Sequence, residues 1–146
     1  MTEIAFHFNA PDKLEYACRL LKKAIANSAR VVVAGGEQQL HALDQALWSF
    51  NTQSFVRHCM FDAGHEMLSH SPVVLVTGSE LPSSIPHHHV LLNLGQSLVK
   101  GFEAFERIIE VVSVDDEDKI QARQRWKHYA DRGYSLLRHD LGSVAS

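Results

Sequence analysis

Histidine and cysteine are the residues of this chain best suited to metal or nucleophilic chemistry, and their spacing supports neither. Of the ten histidines, His58, His65 and His70 fall near Cys59, yet they match no familiar zinc pattern. No helical His-Glu-x-x-His pair occurs. The run His87-His88-His89 follows Pro86 and precedes an apolar stretch, so it reads as a polar loop able to capture stray metal. A dedicated centre would need a geometric ligand set and partners that orient it. Phosphate chemistry fares no better. Val33-Ala34-Gly35-Gly36-Glu37 is a glycine turn after a strand, but it lacks the spacing of a dinucleotide fingerprint and the lysine and hydroxyl of a Walker loop. Glu37 would add negative charge beside any phosphate. No Gly-x-Ser-x-Gly elbow is present, and Cys18 sits on the apolar stripe of a helix, where a core role suits it better than a reactive one. The expectation is therefore no catalytic residue, no metal and no cofactor.

Binding chemistry is more legible. Lys119, Arg123 and Lys127 are spaced four apart and form one ridge of the last helix, flanked by Trp126. Cations beside an aromatic suit a ligand both acidic and apolar, such as a peptide with a terminal carboxylate and a bulky last side chain. Taken alone, Trp126 reads more readily as a core anchor, since tryptophan is usually largely buried. A second cluster, Ala46-Leu47-Trp48-Ser49-Phe50 followed by Ser54-Phe55-Val56-Arg57-His58, gathers three aromatics. It suits either a core edge or a hot spot for a partner protein. Charge is divided to match. Lys119 to Arg138 holds six basic residues against the single acid Asp131, while the rest of the chain is acidic and the total is −3. Such a segment is either a solvated helix face or a local seat for an anionic partner.

These groups must be held by an ordered framework, and the chain has the means to build one. Its 146 residues are 45% hydrophobic and 21% charged, which favours one packed domain over disorder. Strand patterns at Ile4–Phe8, Arg30–Ala34, Pro72–Val76, Val90–Leu94 and Arg107–Val112 are interleaved with helical stripes. The first stripe carries Leu14, Ala17, Cys18, Leu21, Ala24 and Ile25, with Asn9 or Asp12 available as its cap, and the second carries Leu40, Leu43, Ala46 and Leu47. A short helical turn is expected at Phe102 to Phe105. The last helix opens with Asp115-Asp116-Glu117-Asp118, runs to about Arg132 and ends at Gly133. The alternation predicts a three-layer α/β/α domain spanning 1–146, with an ordered core of about 3–138 and a mostly parallel sheet. No apolar run spans a membrane, no secretory leader opens the chain, and two isolated cysteines fit a reducing cytoplasm.

With these residues in view, two blocks resemble a known family. Leu43-Asp44-Gln45-Ala46-Leu47-Trp48, continuing to Ser54-Phe55-Val56-Arg57-His58, is similar to a block of the chi subunits of bacterial DNA polymerase III. Ala122-Arg123-Gln124-Arg125-Trp126-Lys127-His128-Tyr129 with Arg132-Gly133-Tyr134 resembles the closing helix of that family. Arg57, where the family often has proline, and the histidine run depart from the pattern. The resemblance implies a nucleotide-binding-like topology without a phosphate loop, and a non-catalytic adaptor of the clamp-loader complex. It further implies two partners, the psi subunit and the acidic C-terminal tail of single-stranded-DNA-binding protein, with DNA met only indirectly. Carried over residue by residue, tail binding falls on Lys119, Arg123, Trp126, Lys127 and Val112, and psi binding on Trp48, Phe55 and Val56. The competing expectations are a module that holds single-stranded nucleic acid directly and a diverged nucleotide-binding enzyme. The basic segment is short for the first, and the missing phosphate loop weighs against the second.

Overall fold

The computed structural model describes residues 2–48, 58–61, 71–82 and 84–142. In chain order these form β1 (Glu3–Ala10), α1 (Lys13–Ala26), β2 (Val31–Gly35), α2 (Glu37–Trp48), β3 (His58–Met60), β4 (Val73–Thr77), β5 (Val90–Asn93), a 3-10 turn (Phe102–Ala104), β6 (Arg107–Ser113), α3 (Asp116–Asp131) and β7 (Leu136–Asp140). All seven strands join one sheet in the order β3-β4-β2-β5-β6-β1-β7, and every pairing is parallel. The expected α/β architecture is present, with the sheet wholly rather than mostly parallel.

The strands at the centre lie where their composition puts them. Val31, Val32, Val33 and Ala34 of β2 and Val73 to Val76 of β4 are buried on both faces, because helices cover both sides of the sheet. Two core clusters result. One packs Ala17, Cys18 and Leu21 of α1 and Leu40, Leu43 and Leu47 of α2 against Val31, Val33, Leu75 and Leu92. The other packs Phe102, Phe105, Ala122 and Tyr129 against Phe6, Val32, Leu91 and Ile108. Each fully buried aliphatic or aromatic side chain contributes about 1.5–3 kcal/mol by leaving water. The helices start and stop on local chemistry. Asp12, not Asn9, caps α1, its carboxylate accepting from the Glu15 amide at 3.1 Å. Gly133 takes a positive φ of 84° and ends α3.

Two strands lie outside the sequence expectations. β3 is only three residues long and starts at His58, which the residue pattern had merged with the aromatic cluster before it. β7 is Leu-Leu-Arg-His-Asp, largely exposed and without apolar alternation. It adds to the edge of β1 in parallel register, Ile4 opposite Leu136 through Phe8 opposite Asp140. The Leu141 amide donates to the Phe8 carbonyl at 2.9 Å, and Asn9 Nδ2 donates to Asp140 Oδ1 at 2.9 Å. Asn9 holds a φ of 64°, a conformation asparagine tolerates better than most residues. The charged side chains of β7 also blunt an edge that would otherwise invite pairing with another chain.

The histidine run differs from a simple polar loop. His87 is buried, and that burial, reinforced by the charge of Arg30, lowers it to about 4. His88 meets the Phe105 ring edge-on at 5.2 Å, and His89 Nδ1 accepts from the Arg30 amide at 3.2 Å. The run bridges the start of β2 to the start of β6, where the Glu106 amide donates to the His88 carbonyl at 3.2 Å. Among the described residues no three of histidine, cysteine, aspartate or glutamate come together as a metal site, and no helix is long and apolar enough to cross a membrane. His65 and His70 lie outside the described residues.

Candidate binding groove

α3 divides its residues by face. Asp118, Ala122, Arg125 and Tyr129 recur at four, three and four, and all point into the core. Arg125 is therefore not part of a basic surface, as its charge alone suggested. It is 3% exposed and its Nε donates to Glu110 Oε1 at 3.0 Å, while Nη1 donates to the Gln96 carbonyl at 2.6 Å. Glu110 is fully buried and also accepts from Asn93 Nδ2 at 2.9 Å and from the Tyr129 hydroxyl at 2.7 Å. Burial pushes the Glu110 carboxyl up, while Arg125, Tyr129 and Asn93 pull it back. Arginine does not give up its proton, and the three donors supply the hydrogen bonds a buried carboxylate needs. Burial, then the neighbouring Glu110 charge, pushes the Tyr129 hydroxyl upward. This network pins α3 to β5 and β6.

Beside that inward stripe lies an open groove of about 380 Å³ between α3 and the β1–β7 edge. Its floor is apolar, from Phe6 and Phe8 of β1 and Val112 of β6. The register explains why they meet. Phe6 is opposite Glu110 on one side and Arg138 on the other, so Phe6, Phe8, Val112 and Arg138 share one sheet face. One wall is α3, with Lys119, Ala122, Arg123 and Trp126, and the far wall is Arg138, with Asn9 at the end. Trp126 stands edge-on to Phe6 at 5.1 Å, half-buried, so it is both a core anchor and a groove wall. Among the described residues, Lys119, Arg123 and Arg138 have no carboxylate within ion-pair distance. An apolar floor under unneutralised cations can take a ligand with an apolar side chain and nearby carboxylates.

Four of the residues expected at a tail site, Lys119, Arg123, Trp126 and Val112, thus surround one groove. Lys127 is exposed and does not line it. Phe6, Phe8, Asn9, Ala122 and Arg138 were not foreseen there. Phe6 and Phe8 alternate in β1 and could have been read as one face, whereas nothing near Arg138 in the sequence marks a strand. Lys119 is set in place by its neighbour. Asp118 is buried, pairs with Lys13 Nζ of α1 at 2.8 Å and accepts from the Ser113 amide at 2.8 Å, so it ties the first turn of α3 to α1 and β6.

The second cluster is described in part. Trp48 closes α2 with 61% of its surface exposed, its ring 5.4 Å from that of buried His58, which in turn bonds Asp44 at 2.9 Å. Phe55 and Val56 lie outside the described residues. At the C-terminal ends of β2, β4 and β5, where ligands of open α/β sheets are often bound, a hollow of about 240 Å³ is lined largely by glycines. Three of its glycine amides are directed elsewhere. Gly78 donates to the Gly35 carbonyl at 2.8 Å, Gly95 to Asn93 Oδ1 at 3.0 Å and Gly36 to Gln39 Oε1 at 3.3 Å. A phosphate loop would turn such amides toward its ligand.

An open, parallel α/β domain, with a cation-flanked groove along its edge and three strand-end glycine amides committed to its own chain, is the class of protein these elements define. Comparison with known proteins is more specific. Residues 1–137 match the family described as DNA polymerase III chi subunit, HolC, and the chain belongs to that family. It is 32% identical over 133 residues to the DNA polymerase III subunit chi of Pseudomonas aeruginosa, covering 90% of this chain and 89% of that one. The Escherichia coli subunit chi is 29% identical over 123 residues, 84% of this chain and 81% of its own length. The Haemophilus influenzae protein of the same name is 26% identical over 129 residues, 88% and 87% of the two chains.

Proposed function

We propose that this protein is a non-catalytic adaptor of the DNA polymerase III clamp-loader complex. It joins the psi subunit to the acidic C-terminal tail of single-stranded-DNA-binding protein and meets DNA only through that tail. The observation that carries the tail assignment is the groove, an aromatic floor beside the unpaired cations Lys119 and Arg123. Arg123 receives a tail carboxylate in a charge-assisted hydrogen bond, Lys119 adds attraction, and the last aromatic side chain of the tail packs against Val112, Phe6 and Trp126. Lys127, outside the groove, attracts acidic residues further upstream. Each hydrogen bond to a charged group contributes about 1.5–3 kcal/mol, and the exposed charges less. Together with the ordering cost of a short unstructured tail, this gives an expected affinity near 1 μM, about −8 kcal/mol.

The test is fluorescence anisotropy with a labelled peptide ending in an acidic run and Pro-Phe. Saturable binding is expected, weakening as salt rises, with Arg123→Ala reducing affinity about tenfold or more. Unchanged affinity in that variant would remove Arg123 from the site. Tighter binding of a single-stranded oligonucleotide than of the peptide would favour direct nucleic-acid binding instead.

The psi side rests on Trp48, whose large exposed ring is the kind of anchor that carries interface energy, with Phe55 and Val56 following it in sequence. Trp48→Ala is expected to weaken capture of the psi subunit by about tenfold or more while leaving tail-peptide affinity unchanged. Equal loss of both, measured by calorimetry with each partner, would mean that the two partners share one surface.

A further inference from the structure

We propose that Arg138, contributed by the edge strand β7, is a second carboxylate receptor of the groove, held ready by the aromatic rings beneath it. The inference deepens the tail-binding reading and rests on it. The Arg138 guanidinium lies 4.9 Å from the centroid of the Phe8 ring and 5.9 Å from that of Trp126. Stacking uses the flat face of a guanidinium, so the N–H donors around its edge remain available to a carboxylate. A long, exposed arginine normally loses rotamer freedom when it binds. One already resting on two rings loses less, and so binds at lower entropic cost. The location fits the role. Arg138 stands across the groove from Lys119 and Arg123, so a peptide lying between α3 and β7 meets cations from both walls. The ligand class this selects is a peptide with at least two carboxylates around one bulky apolar side chain. An apolar terminus with a lone carboxylate would leave one wall unanswered.

The geometry also separates charge from position. Lysine at 138 keeps the charge but has no planar group to stack. Arg138→Ala should weaken the acidic peptide by about ten- to thirtyfold, and Arg138→Lys by nearly as much. Phe8→Leu retains an apolar floor but removes one ring from under the guanidinium. Its effect in the Arg138→Lys background should be smaller than in the parent chain, because the contact it supports is already gone. The measurement is peptide anisotropy on the full chain and each variant at one salt concentration, with thermal melts to establish that all are folded. Wild-type affinity in Arg138→Ala, with the parent binding the peptide, overturns this inference and leaves the tail-binding reading intact. Full affinity in Arg138→Lys, or strictly additive effects of the Phe8 and Arg138 changes, overturns the stacked arrangement. Absence of peptide binding by the parent chain takes down both readings.

Discussion

Glu110→Ala is expected to lower the unfolding free energy by about 3–5 kcal/mol, a large part of the total for a domain of this size. The change removes the only carboxylate facing Arg125 among the described residues, and Arg125 is 3% exposed. The guanidinium would be left as an uncompensated charge, with the Asn93 amide and the Tyr129 hydroxyl also losing an acceptor. Removing one partner of a buried pair costs far more than the pair itself contributes, because desolvation has already taken place. Replacing both partners, Glu110→Leu with Arg125→Met, should therefore recover much of the loss. Urea unfolding of the two variants decides the matter. A loss below about 1 kcal/mol for Glu110→Ala would mean that water reaches Arg125 and the pair is not the clamp described. The network matters to function through position, since it fixes the helix that carries Arg123 and Trp126.

Asp118→Ala is expected to cost about 2–3 kcal/mol, because Lys13 loses its ion-pair partner and the Ser113 amide its acceptor. Its pH dependence identifies the cause. Burial alone would push the Asp118 carboxyl up, but the hydrogen bond from Lys13, the Ser113 amide and the Lys13 charge together hold it below its ordinary 3.8. A carboxylate whose folded pKa is depressed adds stability that is complete above the unfolded value and is lost as pH falls through the folded one. The gap between parent and variant should therefore be steady from pH 7 to about 5 and narrow below about 4. A gap that persists undiminished at pH 2 would assign the loss to packing rather than charge. Because Lys119 is the next residue, the variant should also bind the acidic peptide more weakly.

Much of this molecule is written locally. The run Val31 to Ala34 reads as a buried strand, because it is short, mostly β-branched and apolar throughout, as a strand covered on both faces requires. Asp12 and Asp115 mark helix starts, and Gly133 a helix end, through backbone chemistry that reaches only a few residues. The spacing of Lys119, Arg123 and Trp126 on one helix follows from helical geometry alone, and the two family-like blocks were legible as a resemblance to a known family. Tertiary structure decided what each charge is for. Arg123 and Arg125 are two residues apart in one basic run, yet one faces solvent over a groove and the other is the counter-ion of a core glutamate. Charge counting assigns both to the surface, because burial depends on Glu110, which is fifteen residues away in sequence. β7 had no local signal, since an exposed edge strand needs neither alternation nor apolar residues. Its place comes from the unpaired edge of β1, more than a hundred residues earlier. Hydrogen bonds along that edge carry Arg138 to Phe8 and complete a groove whose floor comes mostly from the first strand and whose walls come from the last helix and strand.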